Sequence, residues 1–180
     1  LVYFSVGTEK VSMTTRLRSD KTFFLPFNKG IDNPVNEKGF ETHYLWEETL
    51  QPNCLLDLIE NFVHIRTESE KVYDPQRQKV VEKKTDVLIF PRFHQLSVVQ
   101  KMKNSIIDEG VGNNYLIQHT TGSGKSLSIS WLSHLLSSLY QNKTETKRMF
   151  DSVIVVSDRR VIDKMLRNTL KQLEQTKGVV

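Results

Sequence analysis

The sequence predicts an α/β fold: an incomplete parallel sheet in the second half, preceded by the last strands of an upstream domain and a linker with short helices. Three observations predict it. From residue 115 onward, strand-like and helix-like runs alternate, as strands joined by crossover helices do. The run 153–157 is continuously apolar, the pattern of a parallel strand covered on both faces. A short Gly-containing loop separates the strand at 115–118 from the helix that follows it.

Composition is compatible with this. The chain has 180 residues, 38% apolar and 26% charged, the balance of an ordinary globular protein. That length allows one domain, or one domain and the end of another. No apolar run approaches the roughly 20 residues that cross a bilayer. The segment 1–6 is short and not preceded by positive charge, so it is not a secretory signal. No initiator Met is present, and residue 1 is not expected to be the native start. The single cysteine, Cys54, excludes an internal disulfide and fits a reducing compartment. It lies beside the apolar run 55–63 without an activating base and reads as a buried structural thiol.

The elements follow in order. Residues 2–6 and 11–15 read as two strands joined by a turn at Gly7-Thr8-Glu9-Lys10. Two strands alone are marginal, so this hairpin is expected to close a sheet whose other strands lie upstream. Residues 26–40 contain Pro26, Gly30, Asn33, Pro34 and Gly39 and mark a domain boundary. Two short helices are expected at 43–50 and 53–65, divided at Pro52, with Asn53 as cap and Leu55, Leu56, Ile59, Phe62 and Val63 at helical spacing. Residues 66–85 are polar and expected to be extended or loose. A short strand at 87–90 ends at Pro91. Leu96, Val99, Met102 and Ile106 give a helical face over 94–109, stopped at Gly110. After the strand at 115–118 come the loop 119–124, a helix over 125–140 and the strand at 153–157. A helix carrying Val161, Met165, Leu170 and Leu173 follows, and 179–180 reads as the start of a third strand. The organisation is therefore 1–30 as the end of an upstream domain, 31–85 as a linker with short helices, and 86–180 as the first part of an α/β domain.

The loop carries the chemistry. His119-Thr120-Thr121-Gly122-Ser123-Gly124-Lys125-Ser126 lies between a strand and a helix, the setting in which this spelling binds phosphate. Gly122 and Gly124 let the backbone curl close to phosphate oxygens. Successive N–H groups then face the anion, reinforced by the helix N-terminus. Lys125 brings a point charge to the β- and γ-phosphates, and the Ser126 hydroxyl can ligate Mg²⁺. Thr120, Thr121 and Ser123 complete the loop. The usual pattern has Gly where this chain has His119. The fold class is accordingly an incomplete RecA-like sheet of the P-loop NTPase kind.

Arg92-Phe93-His94-Gln95 precedes Lys125 by about 30 residues. A glutamine amide can pair with the N6/N7 edge of adenine, so Arg92 and Gln95 favour ATP over GTP. Alone, Gln95 is an ordinary helix-start residue. Residues 86–180 hold 13 basic and 8 acidic groups against 12 and 13 in 1–85, so the second half is the better candidate for meeting a polyanion. Arg159 and Arg160, at the end of the 153–157 strand, either contact nucleic-acid phosphates or form a salt-bridged pair at a helix start.

Three runs resemble the restriction (motor) subunit of type I restriction–modification enzymes, a superfamily 2 translocase. They are Phe90-Pro91-Arg92-Phe93-His94-Gln95, the loop with its preceding Ile117-Gln118, and Val155-Val156-Ser157-Asp158-Arg159-Arg160. The loop spelling, His119 included, is characteristic of that family. Phe24-Leu25-Pro26-Phe27-Asn28-Lys29-Gly30 and Tyr44-Leu45-Trp46-Glu47-Glu48 resemble its link between nuclease and motor. One departure is that Ile162 replaces Leu, and Met165 or Arg167 stands near an expected Gln, in the segment that begins at Asp158.

The resemblance implies a cytoplasmic bacterial or archaeal enzyme that hydrolyses ATP with Mg²⁺. It moves double-stranded DNA past a complex with methylase and specificity subunits, then cuts it. The Glu82-Lys83-Lys84 and Glu145-Thr146-Lys147 triplets do not follow an apolar strand with a partner Asp, so no nuclease residue is assigned. No apolar strand ending in Asp-Glu follows Ser157, so the segment is expected to bind ATP without competent hydrolysis. The five histidines show no metal-ligand spacing. Two alternatives stay open: another superfamily 2 helicase or translocase, and a non-motor P-loop nucleotide-binding module such as a small-molecule kinase.

Overall fold

The structure, a computed structural model, describes residues 1–76, 78–140, 147–158 and 160–173. Arg159, the Glu145 triplet, the expected strand at 179–180 and the side chains of Val161, Met165 and Leu173 lie outside the described residues. The chain divides into two compact units, Leu1–Asn28 with Asp32–Phe90, and Pro91–Val180 with Lys29–Ile31.

The first unit begins with the expected hairpin, β1 (Tyr3–Val6) antiparallel to β2 (Val11–Thr14), with Val6 opposite Val11 across the turn. Its third strand is β3 (Leu25–Pro26), paired to β2 through Met13 and Leu25. The partner strand therefore comes from downstream, in a segment read as the start of a turn-rich stretch. Pro26 is tolerated because β3 is a two-residue edge strand. Val11, Met13, Phe27, Tyr44, Leu45, Leu58 and Phe62 are buried. Phe4, Phe27 and Phe90 form an aromatic cluster with ring centroids 5.4 to 6.1 Å apart.

Polar groups fix the chain around this core. Asn28 Oδ1 accepts the Val11 N–H at 2.9 Å, and Asn33 Nδ2 donates to Glu9 O at 2.7 Å. The Tyr44 hydroxyl donates to Phe27 O at 2.6 Å. Burial pushes the Tyr44 phenol up to about 12, opposed by its hydrogen bond with Asn33 and aided by Glu48, so it remains a neutral donor. Tyr44→Phe leaves the Phe27 carbonyl without this donor. The expected cost is about 1–2 kcal/mol, read as a lower midpoint in urea unfolding.

Between 43 and 50 the backbone makes a π-type turn, Leu45–Thr49. Helix α1 spans Pro52–Asn61, with Gln51 at the N-cap and Pro52 in the first turn, so Asn53 is not the cap. Proline suits that position because the first N–H groups of a helix have no intrahelical partner. The helix ends four residues earlier than expected. It buries Leu58 while Leu56 and Ile59 are exposed, and Cys54 is half-buried.

Residues 66–85, expected to be extended or loose, are extended and form most of a hairpin. Strand β4 (His64–Asp74) pairs antiparallel with β5 (Lys79–Ile89) over eleven residues each. The expected strand at 87–90 is the end of β5. Its register sets opposite charges across the strands, with Glu70 facing Lys83, Lys71 facing Glu82 and Asp74 facing Lys79, beside the apolar pairs Val72–Val81 and Ile65–Leu88. Thr67 Oγ1 also donates to Asp86 Oδ1 at 2.7 Å.

The second unit is helical. Helix α2 (Phe93–Glu109) ends at Gly110, whose φ of +80° only glycine adopts freely. Helix α3 (Lys125–Ser137) packs against α2 on one side and against α4 (Arg160–Leu173) on the other. Leu96, Val99 and Ile106 of α2, Trp131 and Leu135 of α3, and Leu166 and Leu170 of α4 are buried. His134 on α3 is hydrogen-bonded to Leu170 O at 3.0 Å, a structural role.

The expected parallel sheet is not present among the described residues. Residues 115–118 and 153–157 form neither helix nor strand and carry no β ladder. Leu116 is 93% exposed, and Ile154 and Val156 are 82% and 86% exposed, so these apolar runs are uncovered. A strand is defined by pairing with a neighbour, and neither segment has one here. The observed class is mixed α/β with two small antiparallel sheets. Among the described residues, no helix is long and apolar enough to cross a membrane.

Candidate nucleotide-phosphate site

The loop 119–124 enters helix α3 directly. Gly124 is the N-cap at φ +83° and Gly122 has φ +79°, both in the left-handed region that side-chain-bearing residues avoid. Ser123 N–H bonds Thr120 O at 3.3 Å, which closes the turn. Leu127 N–H bonds Gly124 O at 3.0 Å, which starts the helix. The first N–H groups of α3 thus have no intrahelical partner, the arrangement in which a helix start receives an anion.

Lys125 is exposed, and its Nζ donates to His119 O at 3.0 Å and Thr120 O at 2.9 Å. The ammonium sits against two neutral carbonyls of the loop it belongs to. A phosphate oxygen offers it a stronger, charge-assisted partner. Thr120, Thr121 and Gly122 are exposed, and Ser123 and Ser126 half-buried. Ser126 is the second residue of α3, and its carbonyl accepts Ser130 Oγ at 2.8 Å. Positive-φ glycines, an unengaged helix start, a lysine on the loop rim and a serine next to it fit a polyphosphate with its magnesium ion.

Arg92 is the N-cap of α2, and its N–H donates to Gln95 Oε1 at 2.9 Å. Gln95 is 3% exposed. Its Nε2 donates to Ser123 O at 3.3 Å and Gly124 O at 3.1 Å. Arg92 and Gln95 are therefore brought to the loop, but the amide is engaged with the loop backbone. Arg160 is exposed at the start of α4.

Two histidines join the site that spacing arguments pass over. His94 Nε2 lies 2.9 Å from Ser123 O. A carbonyl only accepts, so Nε2 carries the hydrogen. The His119 ring lies edge-on to His94, with centroids 5.2 Å apart and planes at 86°. His119 Nδ1 is buried without a hydrogen-bond partner. The available signal was position: His94 adjoins Gln95, and His119 opens the loop. A cavity of about 220 Å³ beside the loop is lined by His119 and Lys125 with Val99, Ile117, Ile129 and Leu132.

Burial holds the His119 imidazole below its ordinary value, helped by its neighbours His94 and Lys125. Above the ordinary value of 6.5 the ring is neutral in folded and unfolded chains and contributes nothing to pH dependence. As pH falls through that value, the unfolded chain gains a proton that the folded chain resists, and stability drops until the lowered folded value is passed. Thermal melts at pH 7.5 and 5.5 are expected to show a larger acid loss for wild type than for His119→Gln.

Residues 94–179 match the family model described as SWI2/SNF2 ATPase. That span opens at His94 and includes the loop, α3 and α4. No curated protein matches the chain, and no solved structure does. The segment from His94 onward is similar to the ATPase region of superfamily 2 helicase-like proteins, a class of hydrolases.

Proposed function

We propose that this chain is part of the ATP-dependent, DNA-translocating and DNA-cleaving subunit of a type I restriction enzyme, and that its own share is to bind ATP with Mg²⁺ at 119–126. The observation that carries the nucleotide reading is the loop itself. Two left-handed glycines and a lysine on its carbonyls precede an unengaged helix start. The match to an ATPase model over the same residues supports it. The narrower assignment rests on spelling: the loop with His119 in first position, and Phe90-Pro91-Arg92-Phe93-His94-Gln95 before it.

In this reading the N–H groups of Gly122, Gly124, Lys125 and Ser126 face the phosphates, flanked by Thr120, Thr121 and Ser123. Lys125 neutralises charge between the β- and γ-phosphates and is the residue with a catalytic part. Arg92 stands on the base side, and Gln95 beside it holds the loop. The Ser126 hydroxyl holds Mg²⁺, which screens the phosphate charge when bound. Arg160, with Arg159, meets the DNA backbone. The partners are double-stranded DNA and the methylase and specificity subunits, in the cytoplasm of a bacterium or archaeon.

Titration with Mg·ATP and Mg·GTP tests the site: saturable binding of Mg·ATP is expected, and no binding of either contradicts it. Turnover above a Lys125→Ala control would overturn the expectation that this segment binds without hydrolysing. A second reading, a SWI2/SNF2-like translocase with no restriction partners, is favoured by the family match at 94–179. Retention of the chain by a methylase–specificity complex separates the two: capture supports the restriction assignment, and its absence favours the second.

A further inference from the structure

From the hydrogen bonds of the α2 start we infer that Gln95, helped by His94, is a positioning residue for the phosphate loop rather than a reader of the base. The inference rests on the nucleotide reading of that loop. Gln95 is buried, and both of its functional atoms are engaged: Nε2 with Ser123 O and Gly124 O, and Oε1 with the Arg92 N–H. An amide has two N–H donors, and two loop carbonyls receive them. His94 Nε2–H reaches the same Ser123 carbonyl from the preceding residue of α2.

The consequence follows from the trans peptide plane. A carbonyl and the N–H of the next residue point in opposite directions. Gly124 O is also held along α3 by the Leu127 N–H, so the clasp acts chiefly through Ser123 O: pinned toward α2, it aims the Gly124 N–H away from α2, to the side where an anion meets the helix start. Gly124 is matched to this clasp. A Cβ there would collide with Gln95 Nε2, so the glycine admits the amide as well as the backbone angle. Turning Gln95 to an adenine edge would withdraw its donors from both carbonyls at once.

The test uses the full 180-residue chain and two variants. Gln95→Met keeps length and removes all three hydrogen bonds. Gln95→Glu keeps the acceptor for Arg92 N–H and removes both donors. Calorimetric titration with Mg·ATP, Mg·GTP and Mg·tripolyphosphate should show all three weakened about tenfold in each variant, with an unchanged ATP-to-GTP ratio. Amide hydrogen exchange should quicken at Ser123 and Leu127, whose N–H groups are bonded to Thr120 O and Gly124 O, while Val99 and Ile106 in α2 keep wild-type protection, which general loosening of α2 would not give. Loss confined to ATP, with tripolyphosphate unaffected, overturns the inference and makes Gln95 a base reader. If the wild-type chain binds none of the three, the nucleotide reading fails separately. The exchange data then decide: a rise local to the loop upholds the clasp, and unchanged or α2-wide exchange overturns it.

Discussion

Lys125→Ala is expected to weaken Mg·ATP binding about 100-fold while leaving the fold in place. The two halves of that expectation have different causes. Lys125 is exposed, and its two partners are carbonyls of its own loop, so the folded chain depends little on it. Surface substitutions of this kind change stability by about 0.5 kcal/mol or less. A triphosphate changes the balance. Each hydrogen bond from an ammonium to an anionic oxygen contributes about 1.5–3 kcal/mol, and two of them account for about 100-fold. Calorimetric titration and a thermal melt on the same sample check both halves. A Lys125→Ala chain that binds ATP like wild type would show that the loop is only a turn.

Gly124→Ala is expected to act on stability and binding together, lowering stability by about 2–5 kcal/mol. A left-handed backbone costs a side-chain-bearing residue about 1–2 kcal/mol. The new Cβ also meets Gln95 Nε2, which is buried and held by Ser123 O and Gly124 O, so it cannot swing aside freely. Displacing it leaves the buried Gln95 amide short of its acceptors at about 1–3 kcal/mol, although Ser123 O keeps His94 and Gly124 O keeps the Leu127 N–H. Gly122→Ala is the internal control. Its φ of +79° gives the same strain, but a Cβ there meets nothing within 4 Å. Denaturant midpoints should therefore place Gly122→Ala between wild type and Gly124→Ala. Equal effects of the two would mean that the Gln95 contact is unimportant.

The contrast between Gly122 and Gly124 also indicates what a sequence can disclose. The loop was legible because its requirements are local: φ above zero at two glycines and a helix start directly after. Helix α2 was legible from Leu96, Val99 and Ile106 and from Gly110 as its stop, all within one element. The β4–β5 ribbon was not, because its strands are not built on apolar alternation. Glu70, Lys71, Glu82 and Lys83 look like a solvated charge run until they are set opposite one another. The partner of β2 was misplaced for a related reason, since Leu25–Pro26 is too short to carry a strand signal. The runs 115–118 and 153–157 have strand composition, yet composition supplies no neighbour, and they remain unpaired with Leu116, Ile154 and Val156 exposed. In the site, Gln95 was found from its place before the loop. Its hydrogen bonds were not, because nothing in a linear spacing of about 30 residues says whether an amide turns to a base or to a backbone. His94 was missed entirely, its partner being a main-chain carbonyl with no side-chain signature.

The central claim is that the backbone N–H groups of Gly122, Gly124, Lys125 and Ser126 receive the phosphates. Backbone amide chemical shifts of the ¹⁵N-labelled chain, followed by NMR during titration with Mg·ATP, test it most directly. The account predicts saturable shifts concentrated at Gly122, Ser123, Gly124, Lys125 and Ser126, absent in Lys125→Ala at the same concentrations. Unchanged loop amides, or shifts of equal size in Lys125→Ala, would contradict it.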